Sequence, residues 1–182
     1  MPLYHTSNVP LEPGTVLESR FGTDEVARRV YQIVFSALRE GEWGMKSLLL
    51  ADALSAARQK GDGLLPMFLK EAVFEAVRTS EFADSPPRLG GCFLCPTIDD
   101  ARKWQKHVGD RPHVHVCQVV GGRRGRFDLT LARQTDSLEP IRLQIQDLTN
   151  RARQYWKGDA DSDPIWEIVT DGKVTITELL AG

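Results

Sequence analysis

Short apolar runs at both ends of the chain enclose a middle stretch whose apolar residues recur at the three-and-four spacing of a helix. A sheet made from such a chain must draw strands from both termini, so the pattern predicts an α+β fold. The first run, Pro2 to Tyr4, delivers His5 to the expected end of a strand, and Thr6-Ser7-Asn8 follows as a turn. A strand there would fix the imidazole, while the turn leaves backbone N–H and C=O groups open to a ligand. The plainer reading of His5 is a residue that closes a strand end.

Between the termini, Thr23 and Asp24 precede Val26, Val30, Ile33, Val34, Ala37 and Leu38 at helical spacing, with an end near Gly41. A second helix is expected from Met45 to about Gln59, ahead of the breaker Lys60-Gly61-Asp62-Gly63. A third is expected from about Pro66 to Arg78, with Phe68 or Leu69, Val73 and Val77 on one side. These helices, over about residues 24–79, read as an insertion or lid within a single domain of 182 residues. Pro86, Pro87, Gly90 and Gly91 then mark a loop entering a short strand, Cys92 to Cys95. Thr97, with Asp100 three residues on, approximates a capping box for a helix from Ile98 to His107. Val114 to Val120 and Arg126 to Leu131 are expected to form a hairpin through Gly121 and Gly122. Ile165 to Val169 and Val174 to Leu179 form another across Asp171-Gly172. Ser137 is expected to cap an amphipathic helix marked by Leu138, Ile141, Ile145, Leu148, Ala152 and Tyr155.

A net charge of −2 gives no global attraction to a polyanion, so a nucleic-acid partner would need a local patch such as Arg123, Arg124 and Arg126. No basic segment followed by an apolar stretch opens the sequence, and no run of about 18 apolar residues occurs, which predicts a cytoplasmic protein that avoids membranes. Three cysteines, an odd number, suit a reducing compartment.

Two cysteine readings are weak. Cys92 and Cys95, with His113, His115 and Cys117, could be written as a zinc site, but residues three apart in a strand point to opposite faces, so no metal is expected. Cys95 beside Pro96 at a helix N-terminus could carry a lowered pKa, which leaves a thiol-dependent enzyme as a third hypothesis. Two small buried apolar residues are the plainer reading of the pair.

A constellation spread over the chain says more. Tyr4-His5 is followed by Leu11-Glu12-Pro13-Gly14. Phe93-Leu94-Cys95-Pro96-Thr97-Ile98-Asp99-Asp100-Ala101 reads as a strand running into a capped helix, Val114 to Val119 as a further strand, and Glu167 sits in the penultimate strand. In this order the residues resemble the ADP-ribosyltransferases of the His-Tyr-Glu type, including the rifampin-modifying and related short bacterial transferases. Phe74-Glu75-Ala76-Val77-Arg78 and Pro86-Pro87-Arg88-Leu89 are similar to segments of uncharacterised bacterial members of the same apparent superfamily.

The resemblance implies a split-sheet fold and a mono-ADP-ribosyltransferase that uses NAD as co-substrate. It implies that His5 hydrogen-bonds the ribose next to the nicotinamide, that the backbone of Thr6 holds the carboxamide, and that Phe93 stacks on the nicotinamide ring. Glu167 would stabilise the positive charge that develops at the ribose, with Arg88 and Arg78 pairing with the pyrophosphate. The acceptor is left open among protein, nucleic acid and small molecule, and a toxin or effector role fits small stand-alone transferases. Thr6 stands where glycine is usual and Phe93 where tyrosine is usual. Glu178 and Asp128 are alternative carboxylates, and a catalytically silent binding module with the same fold is the alternative function.

Overall fold

The computed structural model describes residues 1–19, 25–40, 64–109, 111–133 and 140–180. In chain order these form β1 (Leu3–Ser7), β2 (Val16–Leu17), α1 (Glu25–Glu40), α2 (Leu64–Glu81), β3 (Cys92–Leu94), α3 (Ile98–Val108), β4 (His113–Val120), β5 (Arg124–Asp128), a 3-10 turn (Leu129–Ala132), α4 (Ile141–Lys157), β6 (Trp166–Thr170) and β7 (Lys173–Leu180). The molecule is α+β, with sheet strands from both ends, as the apolar pattern predicts. The expected helix over Met45 to Gln59, Thr23-Asp24 and the Ser137 cap lie outside the described residues. No helix among the described residues is long and apolar enough to cross a membrane.

Two antiparallel sheets carry the strand orders β1-β4-β7-β2 and β3-β6-β5. They meet at one bridge, where Tyr4 N donates to Cys95 O at 2.9 Å and Cys95 N to Tyr4 O at 2.7 Å. This seam lays the N-terminal strand beside the middle of the chain. His5 is not at a strand end: Thr6 and Ser7 continue the ladder opposite Val114 and His113, so His5 is the central residue of β1, paired with His115. The expected turn is replaced by two further strand residues, and the Tyr4 bridge to Cys95 shows that alternate backbone groups of β1 face away from β4.

Neither expected hairpin forms. β4 pairs with β1 and β7, whereas β5 pairs with β6, and β6 with β3 and β5. Gly121-Gly122 and Asp171-Gly172 are therefore crossings from one sheet to the other. The two crossings pack against each other: Thr170 Oγ1 donates to Arg123 O at 2.8 Å, and Gly172 N donates to Thr170 Oγ1 at 3.1 Å. A Cβ on Gly122 would stand 2.2 Å from Gly172 N, and one on Gly172 would stand 2.4 Å from Gly121 O. Turn chemistry reports that the chain reverses; it does not choose the partner strand, which is set by where apolar side chains find a core.

That core centres on α2. Phe68, Leu69, Ala72, Val73, Phe74, Ala76 and Val77 pack in one cluster with Ile145, Leu148, Ala152 and Tyr155 of α4 and with Phe127 and Val169 of the β3-β6-β5 sheet. Val30 and Val34 of α1 join the same cluster. α1 and α2 are thus not a lid: α2 is buried around most of its circumference, which leaves Glu71, Glu75 and Arg78 inside the protein. A smaller cluster, Leu94, Cys117, Val174 and Ile176, packs with Leu3, Leu11 and Leu17. The Thr97 cap forms as read, Asp100 N donating to Thr97 Oγ1 at 3.0 Å.

Candidate functional site

The seam between the sheets opens into a cavity of about 690 Å³. His5 and Thr6 from β1, Phe93 from β3, Arg88 from the loop before it and Glu167 from β6 all line this one space. Five of the six residues picked from the sequence are thereby brought together; Arg78 is not among the lining residues. Lys70 and Glu71 of α2, Glu18 after β2 and Arg111 ahead of β4 are further charged residues of the wall.

His5 spans the seam, its Nδ1 lying 3.3 Å from the Phe93 carbonyl. A carbonyl only accepts, so the hydrogen sits on Nδ1 and the Nε2 lone pair is left as an acceptor. Burial pushes the imidazole down to about 4; the Phe93 carbonyl opposes this, while Arg111 and His115 add to it. His5 is therefore neutral near pH 7 and suited to accept from a ligand hydroxyl. Thr6 is buried, and its carbonyl accepts from Arg111 Nη1 at 3.3 Å.

Arg88 and Glu167 are not open to solvent. Arg88 Nη1 lies 2.7 Å from Glu167 Oε1 and also donates to the Tyr155 hydroxyl, which donates in turn to the same Glu167 oxygen at 2.7 Å. Glu71 takes the other edge of the guanidinium, with Nε to Oε2 at 2.6 Å and Nη2 to Oε1 at 3.2 Å. Glu167 Oε2 is buried without a hydrogen-bond partner. Burial alone would raise the Glu71 carboxyl, but Arg88 and Lys70 outweigh it and hold it at about 2. Burial and the neighbouring Glu167 raise the Tyr155 hydroxyl well above its ordinary value, Arg88 opposing, so it is a donor at any physiological pH.

The expected pyrophosphate roles of Arg88 and Arg78 do not survive this geometry. Arg88 gives four side-chain hydrogen bonds to internal acceptors. Arg78 points into the protein, bonding Glu75 Oε1 through Nε at 3.0 Å and Nη2 at 2.7 Å, and the Ala83 and Ser85 carbonyls through Nη1. Glu75 Oε2 in turn accepts from Arg88 N at 2.8 Å. The Phe-Glu-x-x-Arg helix and the Pro-Pro-Arg loop, matched separately in the sequence, thus form one bracket that seats Arg88. Phe93 is half-buried, its ring centroid 4.7 Å from Arg88 Cζ.

Of the alternative carboxylates, Asp128 is buried and accepts backbone N–H groups from Thr130, Asp161 and Ile165, a loop-holding role. Glu178 is exposed on β7. Burial pushes the Cys95 thiol well up, Glu167 and Asp100 adding to it, the opposite of what a nucleophilic thiol needs. Among the described residues no group of three or more His, Cys, Asp or Glu side chains is placed to hold a metal ion. The basic patch is also occupied: Arg123 binds Asp171 at 2.8 Å, Arg124 Nη2 donates to Val119 O at 2.7 Å, and Arg126 Cζ lies 4.1 Å from the Trp166 ring centroid.

Sequence reading missed Glu71, Lys70, Tyr155 and Arg111. The signal for the first was available: two carboxylates, Glu71 and Glu75, sit among Phe68, Leu69, Ala72, Val73, Phe74, Ala76 and Val77, and a charge held among such residues requires a partner.

A family model described as a protein of unknown function, DUF2441, matches residues 26–181. The chain belongs to this family. No curated protein matches the chain. The family match begins after β1, so His5 and Thr6 lie ahead of it, while Arg88, Phe93 and Glu167 fall within it.

Proposed function

We propose that the protein is an NAD-dependent mono-ADP-ribosyltransferase of the split-sheet fold, acting in the cytoplasm. The observation that carries this reading is the convergence of His5, Thr6, Phe93 and Glu167, from three separate strands, on one cavity at the seam of two sheets. In this reading neutral His5 accepts from the ribose hydroxyl, the Thr6 backbone meets the carboxamide, and the nicotinamide stacks on the Phe93 face that Arg88 leaves open. Arg111, in the same wall but outside the Glu71–Arg88–Glu167 network, takes the pyrophosphate role in place of Arg88 and Arg78.

The bond between the ribose anomeric carbon and the nicotinamide nitrogen breaks, and its electron pair leaves with nicotinamide. The acceptor nucleophile bonds to the same carbon and loses its proton. Glu167 stabilises the oxocarbenium-like state between these events. The acceptor is a protein, a nucleic acid or a small molecule, and a toxin or effector role fits a chain of this size.

A second reading, a binding module that keeps the fold without turnover, is favoured by the closure of Glu167 behind Arg88 and Tyr155 and by Thr6 and Phe93 in place of glycine and tyrosine. Nicotinamide release from NAD separates the two. The transferase should release it, and Glu167→Gln should slow release by about 100-fold or more with NAD affinity little changed. Binding of NAD with no release by the wild-type protein would favour the binding module, and neither binding nor release would remove NAD from the account.

A further inference from the structure

We infer that Arg88, Tyr155 and Glu71 are positioning residues that together set the orientation of Glu167, an inference that rests on the role given to Glu167 above. Three contacts close a triangle, because Tyr155 Oη both accepts from Arg88 Nη1 and donates to the Glu167 oxygen that Arg88 holds at 2.7 Å. A closed triangle pins Oε1 from two sides, where a single ion pair would let it swing. Arg88 is itself immobilised by the two-point contact with Glu71, by Glu75 on its backbone N–H, and by the Phe93, Tyr155 and Phe74 rings at 4.7, 4.9 and 5.4 Å from Cζ.

Charge points the same way. Arg88 faces two carboxylates and balances one; Lys70, with Nζ 2.9 Å from Glu71 Oε1, balances the other. A network of this kind is seldom the most stable way to fill a core, since apolar residues of the same volume do as well or better. Its place in the wall of the cavity, with Glu167 Oε2 as the one oxygen of that carboxyl left unpaired, fits a site residue held in register. The groups that act on Glu167 are Arg88 from the loop, Tyr155 from α4, Glu71 and Lys70 from α2, and the Cys95 thiol after β3.

Two variants test it. Tyr155→Phe removes one of the two donors to Glu167 Oε1, so in NAD turnover kcat for nicotinamide release should fall about ten-fold with KM changed less than about two-fold. Glu71→Gln loosens the far edge of the guanidinium and should lower kcat in the same way. In protein labelled with carbon-13 glutamate and held at one pH, the Glu167 carboxyl resonance, assigned by its loss in Glu167→Gln, should move in both variants. A resonance left in place in either folded variant would overturn the inference; should one variant not fold, the other decides. A wild-type protein inert towards NAD would remove the transferase reading alone, because the resonance is recorded without NAD.

Discussion

His5 shows how one half-buried ring couples fold to solution conditions. Its folded value of about 4 lies below the ordinary 6.5, so between these values the unfolded chain binds the extra proton and acidification favours unfolding. The contribution is complete above about pH 6.5 and is lost as pH falls towards 4. Urea unfolding at about pH 7 and about pH 5 should show a loss of roughly 2 kcal/mol in the wild type that is absent in His5→Asn. Equal losses in the two proteins would mean that other groups carry the acid sensitivity. Glu71 acts in a lower window: held at about 2 against an ordinary 4.5, it adds a further loss only below about pH 4.5, so the two residues separate on the pH axis.

Among the elements, the two crossings decide the fold. Gly122 has φ of 69° and contacts the Gly172 backbone so closely that any side chain would enter it. Gly122→Ala adds a backbone clash to a left-handed conformation, and should cost at least roughly 1–3 kcal/mol. Gly121→Ala, also at positive φ but with open space around its Cβ, should cost less. Similar melting temperatures for the two variants would argue that the crossings do not touch in solution. The α2 bracket is the second determining element, since Glu75 ties Arg78 and the Arg88 backbone to one helix turn.

At the scale of the whole molecule, helices and sheets share one core instead of a sheet body with a detachable lid. Phe74 is buried between Tyr155, whose ring is 5.3 Å away at 71°, and Trp156, whose Nε1 donates to the Phe74 carbonyl at 2.9 Å. Phe74→Ala should therefore destabilise the entire domain by about 3–5 kcal/mol, with helix signal and tryptophan fluorescence lost in one transition. Loss of α2 while the sheets persist would restore the lid description. The cavity lies against this shared core, so Arg88 and Glu167 are held from α2, α4 and the β3-β6-β5 sheet at once.

What the order of residues determined by itself was local. The spacing of Val30, Val34 and Ala37, the Thr97 cap, and the strands around Phe93 and Glu167 depend on neighbours a few positions away, and they form as read. The choice of His5, Thr6, Phe93, Arg88 and Glu167 as companions was also legible, through motif order. Partner choice was not. Whether β5 follows β4 into the same sheet, and whether Arg88 meets a ligand or meets Glu167 79 residues away, depends on burial that no local window contains. Only the tertiary structure turns two expected hairpins into crossings and two expected phosphate ligands into internal ion pairs. The physical reason is common to both: a buried backbone group or charge must be satisfied, and its partner is whatever the packed core brings within reach.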